Sequence, residues 1–236
     1  MDNGSPAPRK QIIEGLNVKS HVKSDVFDVC LEVFNELKEV LGELSNDLNE
    51  MVENTNDRRV RLEYRDRGKF EAELKFADDV LIFSMHTDVF QFDREHPIWK
   101  NEILKNDPYT GYCGMISVYN FLSDSMKYNR IDDMGYLVAR IFINKDKSFF
   151  VEGKRQKRQL TADFGKSQLG RDQLVEIVES AIIYALSFDL LVPPFDLVKV
   201  ATVEQINSKI DSAKIVTGKR LGYKYNSDDI LNSEGE

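Results

Sequence analysis

DVFDVCLEVFNELKEVLGELSNDLNEM, residues 25–51, is followed closely by VRLEYRDRGKFEAELKFADDVLIFSM, residues 60–85, and the change of period between them determines the fold class. In the first stretch the apolar residues Phe27, Cys30, Phe34, Leu37, Leu41, Leu44, Leu48 and Met51 recur in alternating three- and four-residue steps, the signature of one helical face. In the second the period falls to two, through Val60, Leu62 and Tyr64 and then Phe70, Ala72, Leu74 and Phe76, as it must where side chains alternate across a strand. A heptad stripe first suggests a two-stranded coiled coil. Val26, Val33 and Val40 on one edge and Leu31 and Val52 on the other make the apolar face too broad for such a seam, and a broad face is one laid across a sheet. Gly42 weakens the isolated helix further, so tertiary packing should hold it.

Working outward, Ser24 and Asp25 are placed to cap this helix, expected over roughly residues 25–53 and about 40–45 Å long. Three strands are expected near 58–66, 69–77 and 79–86, joined by connections short enough for antiparallel hairpins. VLIFSM, residues 80–85, is apolar on both faces and should be the most central of the three. A long connection, 87–112, holds the only Trp and a helical turn near 98–104. Gly114 to Leu122 reads as a fourth strand, and Tyr136 to Asn144 with Ser148 to Gly153 as a hairpin. Arg171 to Leu190 reads as a buried helix stopped by Pro193 and Pro194, and Thr202 with Gln205 opens a last helix reaching about Val216. The sum is an α+β fold: an antiparallel sheet of about six strands packed by a long N-terminal helix and two C-terminal helices. The expected organisation is a flexible N-terminal segment over 1–23, a single α+β domain over 24–220, and a polar acidic tail over 221–236.

With 236 residues, 42% of them hydrophobic and 31% charged, the chain can bury a sizeable core. A net charge of -8 argues against a protein whose main task is to hold a phosphate backbone. Only Cys30 and Cys113 are present, which suits a reducing, cytoplasmic setting better than a disulfide framework. No apolar run approaches the ~18 residues needed to span a bilayer.

The chemistry-bearing residues are few. HTDVFQFDREHPIW, residues 86–99, gathers His86, Asp88, Asp93, Glu95 and His96, the donor types of a zinc or non-haem iron site or of a general base. The spacing matches no metal-binding motif, and local hydrogen bonds by which His86 and His96 fix the loop are the preferred explanation. Phe90, Phe92, Trp99, Tyr109, Tyr112, Tyr119 and Phe121 lie in or beside the same connection and could line a ligand pocket, although such residues also make core. Asp66 with Glu73 and Lys75 is similar in pattern to the carboxylates of restriction-type nucleases, but alternation leaves Glu71, Glu73 and Lys75 on a solvated face. Lys154, Arg155, Lys157 and Arg158 form a basic run suited to phosphates, nucleic acid or an acidic partner surface, and more simply to a solvated loop. Nucleophile-elbow and phosphate-loop motifs are absent.

In element order alone, helix, three antiparallel strands, long connection, further strands and terminal helix, the chain is similar to type III secretion chaperones and to GAF-type ligand sensors. The expectation is a non-enzymatic cytoplasmic binding or interaction protein, without cofactor, that holds a protein partner or a small ligand through its sheet and the 87–112 connection. A homodimer is compatible with this reading. The competing expectation is a metal-dependent or acid-base hydrolase built on His86, Asp88, Asp93, Glu95 and His96.

Overall fold

A computed structural model describes residues 8–52, 60–131, 133–153 and 164–187, together with 200, 202 and 203. The described residues fall into two compact units, one of residues 1–122 with 135–188 and one of residues 123–134 with 189–236. In the second, α4 (Ser123–Lys127) is followed by a tight turn in which the Ser125 hydroxyl donates to Asp133 at 2.5 Å. The remaining elements named below belong to the first unit.

Helical structure starts earlier than residue 25. α1 (Pro8–Glu14) runs into one π-helical stretch, Gly15–Ser20, and then into α2 (His21–Met51). Ser24 therefore lies inside the helix and caps nothing; even Ser20 already has helical angles and makes no capping bond with its side chain. The sheet has the order β1-β2-β3-β5-β6-β7, antiparallel throughout, from β1 (Glu63–Asp66), β2 (Glu71–Phe76), β3 (Asp79–Met85), β5 (Tyr112–Leu122), β6 (Tyr136–Ile143) and β7 (Phe149–Gly153). A two-residue β4 (Phe90–Gln91) pairs with the start of β5 and makes a seventh strand. β3 does lie inside the sheet, with β2 on one side and β5 on the other.

The broad face of α2 is what covers this sheet. Val26, Cys30, Val33, Phe34, Leu37, Val40 and Leu41 are all 0–1% exposed, whereas Met51, which continues the heptad stripe, is 77% exposed. The buried face takes in both the stripe and the valine edge, the breadth that a helix laid across a sheet requires and a coiled-coil seam does not. It packs on Ala72, Leu74, Leu81, Phe83, Ile116, Ile141 and Val151. α5 (Arg171–Leu186) adds Leu174, Val178, Ala181 and Ala185 to the same core, and the Gln173 side chain caps its start by accepting from Gly170 N. At Gly114 the helix packs tightly on the sheet, since a Cβ there would stand 2.7 Å from Cys30 Sγ. The second C-terminal helix expected after Thr202, and the 221–236 tail, lie outside the described residues.

Two polar contacts hold β1 under the helix. Asn49 grips Leu62 in both directions, donating to its carbonyl and accepting from its N–H at 2.9 Å each. Lys38, its side chain only 12% exposed, reaches Asp66 at 2.9 Å and the Gly68 carbonyl at 2.5 Å. Gly68 turns the β1–β2 hairpin at φ +113, a left-handed angle that glycine adopts at no steric cost.

On the opposite sheet face a second, smaller core forms at the β5–β6–β7 end, from Ile98, Leu104, Cys113, Phe142, Phe150 and Phe164, with Phe92, Trp99 and Met115 against it. The long connection supplies its lid. That connection contains β4, two 3-10 turns (Pro97–Lys100 and Pro108–Gly111) and α3 (Glu102–Asn106). Its end is pinned to the β6–β7 hairpin by Asn144, 1% exposed, which donates to the Thr110 carbonyl and accepts from the N–H groups of Asp146 and Ser148.

Candidate functional site

Three of the five polar residues of the 86–99 stretch, His86, Asp93 and His96, spend an acceptor on nearby backbone. His86 Nδ1 accepts from Asp88 N at 3.0 Å, Asp93 Oδ1 from Glu95 N at 2.9 Å, and His96 Nδ1 from Ile98 N at 3.3 Å, which caps the first 3-10 turn. Such Asx-type and capping bonds satisfy the orphan donors of tight turns. The His96 ring stacks on Phe92 at 4.6 Å, and His86 meets Phe90 edge-on at 4.7 Å. The Asp88 carboxylate stands 4.0 Å from His86 Nδ1 and is 82% exposed. Among the described residues no three His, Cys, Asp or Glu side chains are grouped so that they could hold a metal ion.

The seven aromatic candidates do not converge, and among the described aromatic rings Tyr119 and Phe121 meet only each other, at 6.5 Å. Phe92 and Trp99 belong to the second core, and Trp99 Nε1 donates to the Asp93 carbonyl at 2.8 Å, fastening the connection to itself. Tyr109 and Tyr112 stack at 6.4 Å, and Lys19 and Lys23 of the long helix lie 6.0 and 5.8 Å above the Tyr112 ring, within cation–π range. Phe90 alone of the seven lines an open cleft. The cleft, of about 590 Å³, is walled by Lys23, Ser24, Phe27 and Asp28 of α2 and by Thr87, Asp88, Val89 and Phe90 of the connection. Lys69 lies 6.0 Å from the Phe27 ring and 5.2 Å from that of Phe70, adding a second ammonium beside the aromatic wall.

Of these lining residues the sequence pattern singled out only Asp88 and Phe90 for a site. Phe27 belongs to the helical stripe, and Lys23 and Asp28 read as an ordinary polar face; nothing local shows that residues 60 positions downstream close against them. The basic run Lys154, Arg155, Lys157 and Arg158 lies outside the described residues.

The nuclease-like set does not assemble. Asp66 turns toward α2 and Lys38, whereas Glu73 points to the other face of the sheet. The Lys38 hydrogen bond, helped by that from Gly68 N, holds the Asp66 carboxyl below the usual range. Glu73 also corrects an expectation: it is 5% exposed instead of solvated, with Arg67 at 3.1 Å and Arg65 at 3.7 Å. Two guanidiniums beside one carboxylate offset the cost of removing it from water.

Cys30 and Cys113 are both free and buried. Burial pushes the Cys30 thiol from 9.0 up to about 12, and burial, with the neighbouring Cys30 second, raises Cys113 as well. The thiolate is therefore favoured only in the unfolded chain. Stability carried by these thiols is full below about pH 8.5, the unfolded value, and is lost as pH rises toward the folded value. Denaturation midpoints should fall between about pH 8 and pH 10.5, and a thiol reagent should label the native protein only at its rate of opening. Rapid labelling of both thiols at neutral pH would contradict this.

The described fold is thus an α+β unit with a long helix on one sheet face, an aromatic cluster on the other, and a mixed-charge cleft at the helix's N-terminal end. In comparison with known proteins, the chain matches no family model, no curated protein and no solved structure.

Proposed function

We propose that this protein is a non-enzymatic, cytoplasmic binding protein that takes a small zwitterionic ligand with an apolar side chain, such as an α-amino acid. One observation carries the reading: the cleft between α2 and the 87–90 segment combines an apolar wall, Phe27, Val89 and Phe90, with one ammonium, Lys23, and two carboxylates, Asp28 and Asp88. Its size falls within the range of small-molecule sites, about 300–1,000 Å³. Lys23 suits a carboxylate and the two aspartates an ammonium, while Ser24 and Thr87 supply hydroxyls that donate or accept. The two buried free thiols accord with a reducing compartment, and among the described residues no helix is long and apolar enough to cross a membrane.

Titration calorimetry with L-phenylalanine and L-leucine tests the proposal. Binding of at least one is expected, weakened about tenfold by Phe90→Ala and by Asp88→Asn, a loss of ~1.4 kcal/mol each. No heat with either ligand up to about 1 mM, or equal affinity in both variants, would sink it.

A further inference from the structure

β3 ends at Met85, and the chain leaves the sheet through one hydrogen-bonded turn. His86 N donates to the Met115 carbonyl at 2.8 Å, and His86 Nδ1 accepts from Asp88 N at 3.0 Å. The residues this turn carries, Thr87, Asp88, Val89 and Phe90, wall the cleft opposite α2, and the His86 ring braces that wall edge-on to Phe90 at 4.7 Å. Elsewhere in the chain the same bond, from a side chain to the N–H two residues on, is accepted by Asp93, Asn101, Asp107 and Asn144. An Asn oxygen accepts at any pH. A histidine nitrogen accepts only while the ring is neutral, because both ring nitrogens are donors in the charged form. The Asp88 carboxylate stands 4.0 Å from the same Nδ1 and is 82% exposed. One residue thus offers the ring an N–H when it is neutral and a carboxylate when it is charged.

We propose that His86 is a pH switch on the cleft: protonation breaks its bond to the Asp88 N–H and draws the Asp88 carboxylate onto the ring, so the cleft holds its ligand above neutral pH and releases it in acid. The consequence for a ligand rests on the reading of the cleft as a zwitterion site; the rearrangement of the turn does not. Once Asp88 is engaged by the ring, the ligand's ammonium is left with Asp28 alone, and the turn that sets Thr87 and Phe90 is freed in the same step. The charged groups on the elements around His86 are Asp88 on its own segment, Lys69 and Glu71 of the β1–β2 hairpin, and Lys23 and Asp28 of α2. β5 brings only the uncharged Gly114 and Met115. Carboxylates and ammoniums keep one charge from about pH 5 to pH 8, whereas histidine changes its charge in that range. Of the other two histidines, His21 opens α2 just before Lys23, and His96 caps the turn that starts at Pro97 and does not line the cleft.

Nitrogen-15 NMR of the ligand-free full chain tests the turn, and calorimetry with L-phenylalanine and L-leucine tests the cleft. Between about pH 5 and pH 8 the Asp88 amide resonance should move with the titration of the His86 ring. In His86→Asn, whose oxygen can take the same N–H, that resonance should stay fixed. Affinity should fall about tenfold from about pH 7.5 to about pH 5.5, as it does when the binding-competent state drops to about a tenth. His86→Asn should keep the affinity of the higher pH at both, and His21→Asn and His96→Asn should respond like the parent. An Asp88 amide that ignores His86 overturns the proposal, as does equal affinity at the two pH values or an acid loss that persists in His86→Asn. An Asp88 amide that follows His86, with neither ligand bound at either pH, supports the switch and refutes the amino-acid reading of the cleft instead.

Discussion

Phe34→Ala should destabilise the protein by about 3–5 kcal/mol, the range for deleting a buried aromatic ring, against a total stability of about 5–15 kcal/mol. Phe34 is fully buried in the middle of the face that α2 lays on the sheet, with the Lys38 ammonium 5.4 Å above its ring. Its loss removes apolar burial and leaves a cavity that the flanking strands close only in part. The companion substitution Met51→Ala should change stability by less than about 0.5 kcal/mol, because that side chain is exposed. Both residues belong to one heptad stripe, so the pair separates a helix laid on its own sheet from a coiled-coil seam. Chemical denaturation followed by circular dichroism measures both. Equal losses at the two positions would refute the packing described.

Phe150→Ala should cost about as much, 3–5 kcal/mol, with a different spatial signature. Phe150 is 1% exposed and meets Phe142 at 5.0 Å, Phe92 at 5.5 Å, Phe164 at 5.8 Å and His96 at 6.3 Å between ring centroids. It is therefore the hub of the aromatic cluster that fastens the long connection to the sheet. Aromatic pairs in offset or edge-on arrangement add to area burial, so several contacts are lost together. Amide hydrogen exchange should accelerate most over residues 97–111, and less over the buried turns of α2, whose core lies on the opposite face. Acceleration spread evenly over both regions would mean that the two clusters open as one unit. Because the connection's first residues, Thr87 to Phe90, form a wall of the cleft, the same variant should also weaken any ligand held there.

The long helix, the first two hairpin strands and the helix from Arg171 were legible in the chain because one-sided burial imprints its period on the residues, and β3 and the later hairpin, buried on both faces, were legible as short apolar runs between turns. The strands begin and end within two or three residues of the expected places, except that β1 starts at Glu63 and not near 58. The helix start was misplaced because Ser24 and Asp25 look like a cap, while the helical segment before them, exposed along its length, carries no burial period to reveal it. Glu73 misled for a related reason: a charged residue on the polar phase of a strand reads as solvated, and the two arginines beside it come from β1 and the loop that follows.

What the sequence determined by itself is the α+β class, the antiparallel hairpins and the broad face of the long helix, all properties of neighbouring residues. Only the tertiary structure decided the rest. His86, Asp93 and His96 serve as turn caps, while Phe92 and Trp99 close a second core. Lys23 and Asp28 share a cleft with Asp88 and Phe90. Those outcomes depend on which distant segments meet, and a side chain's type states what it can do without stating who stands opposite it. The periods are local and survive in the one-dimensional chain; the partners are non-local and exist only once the chain has folded.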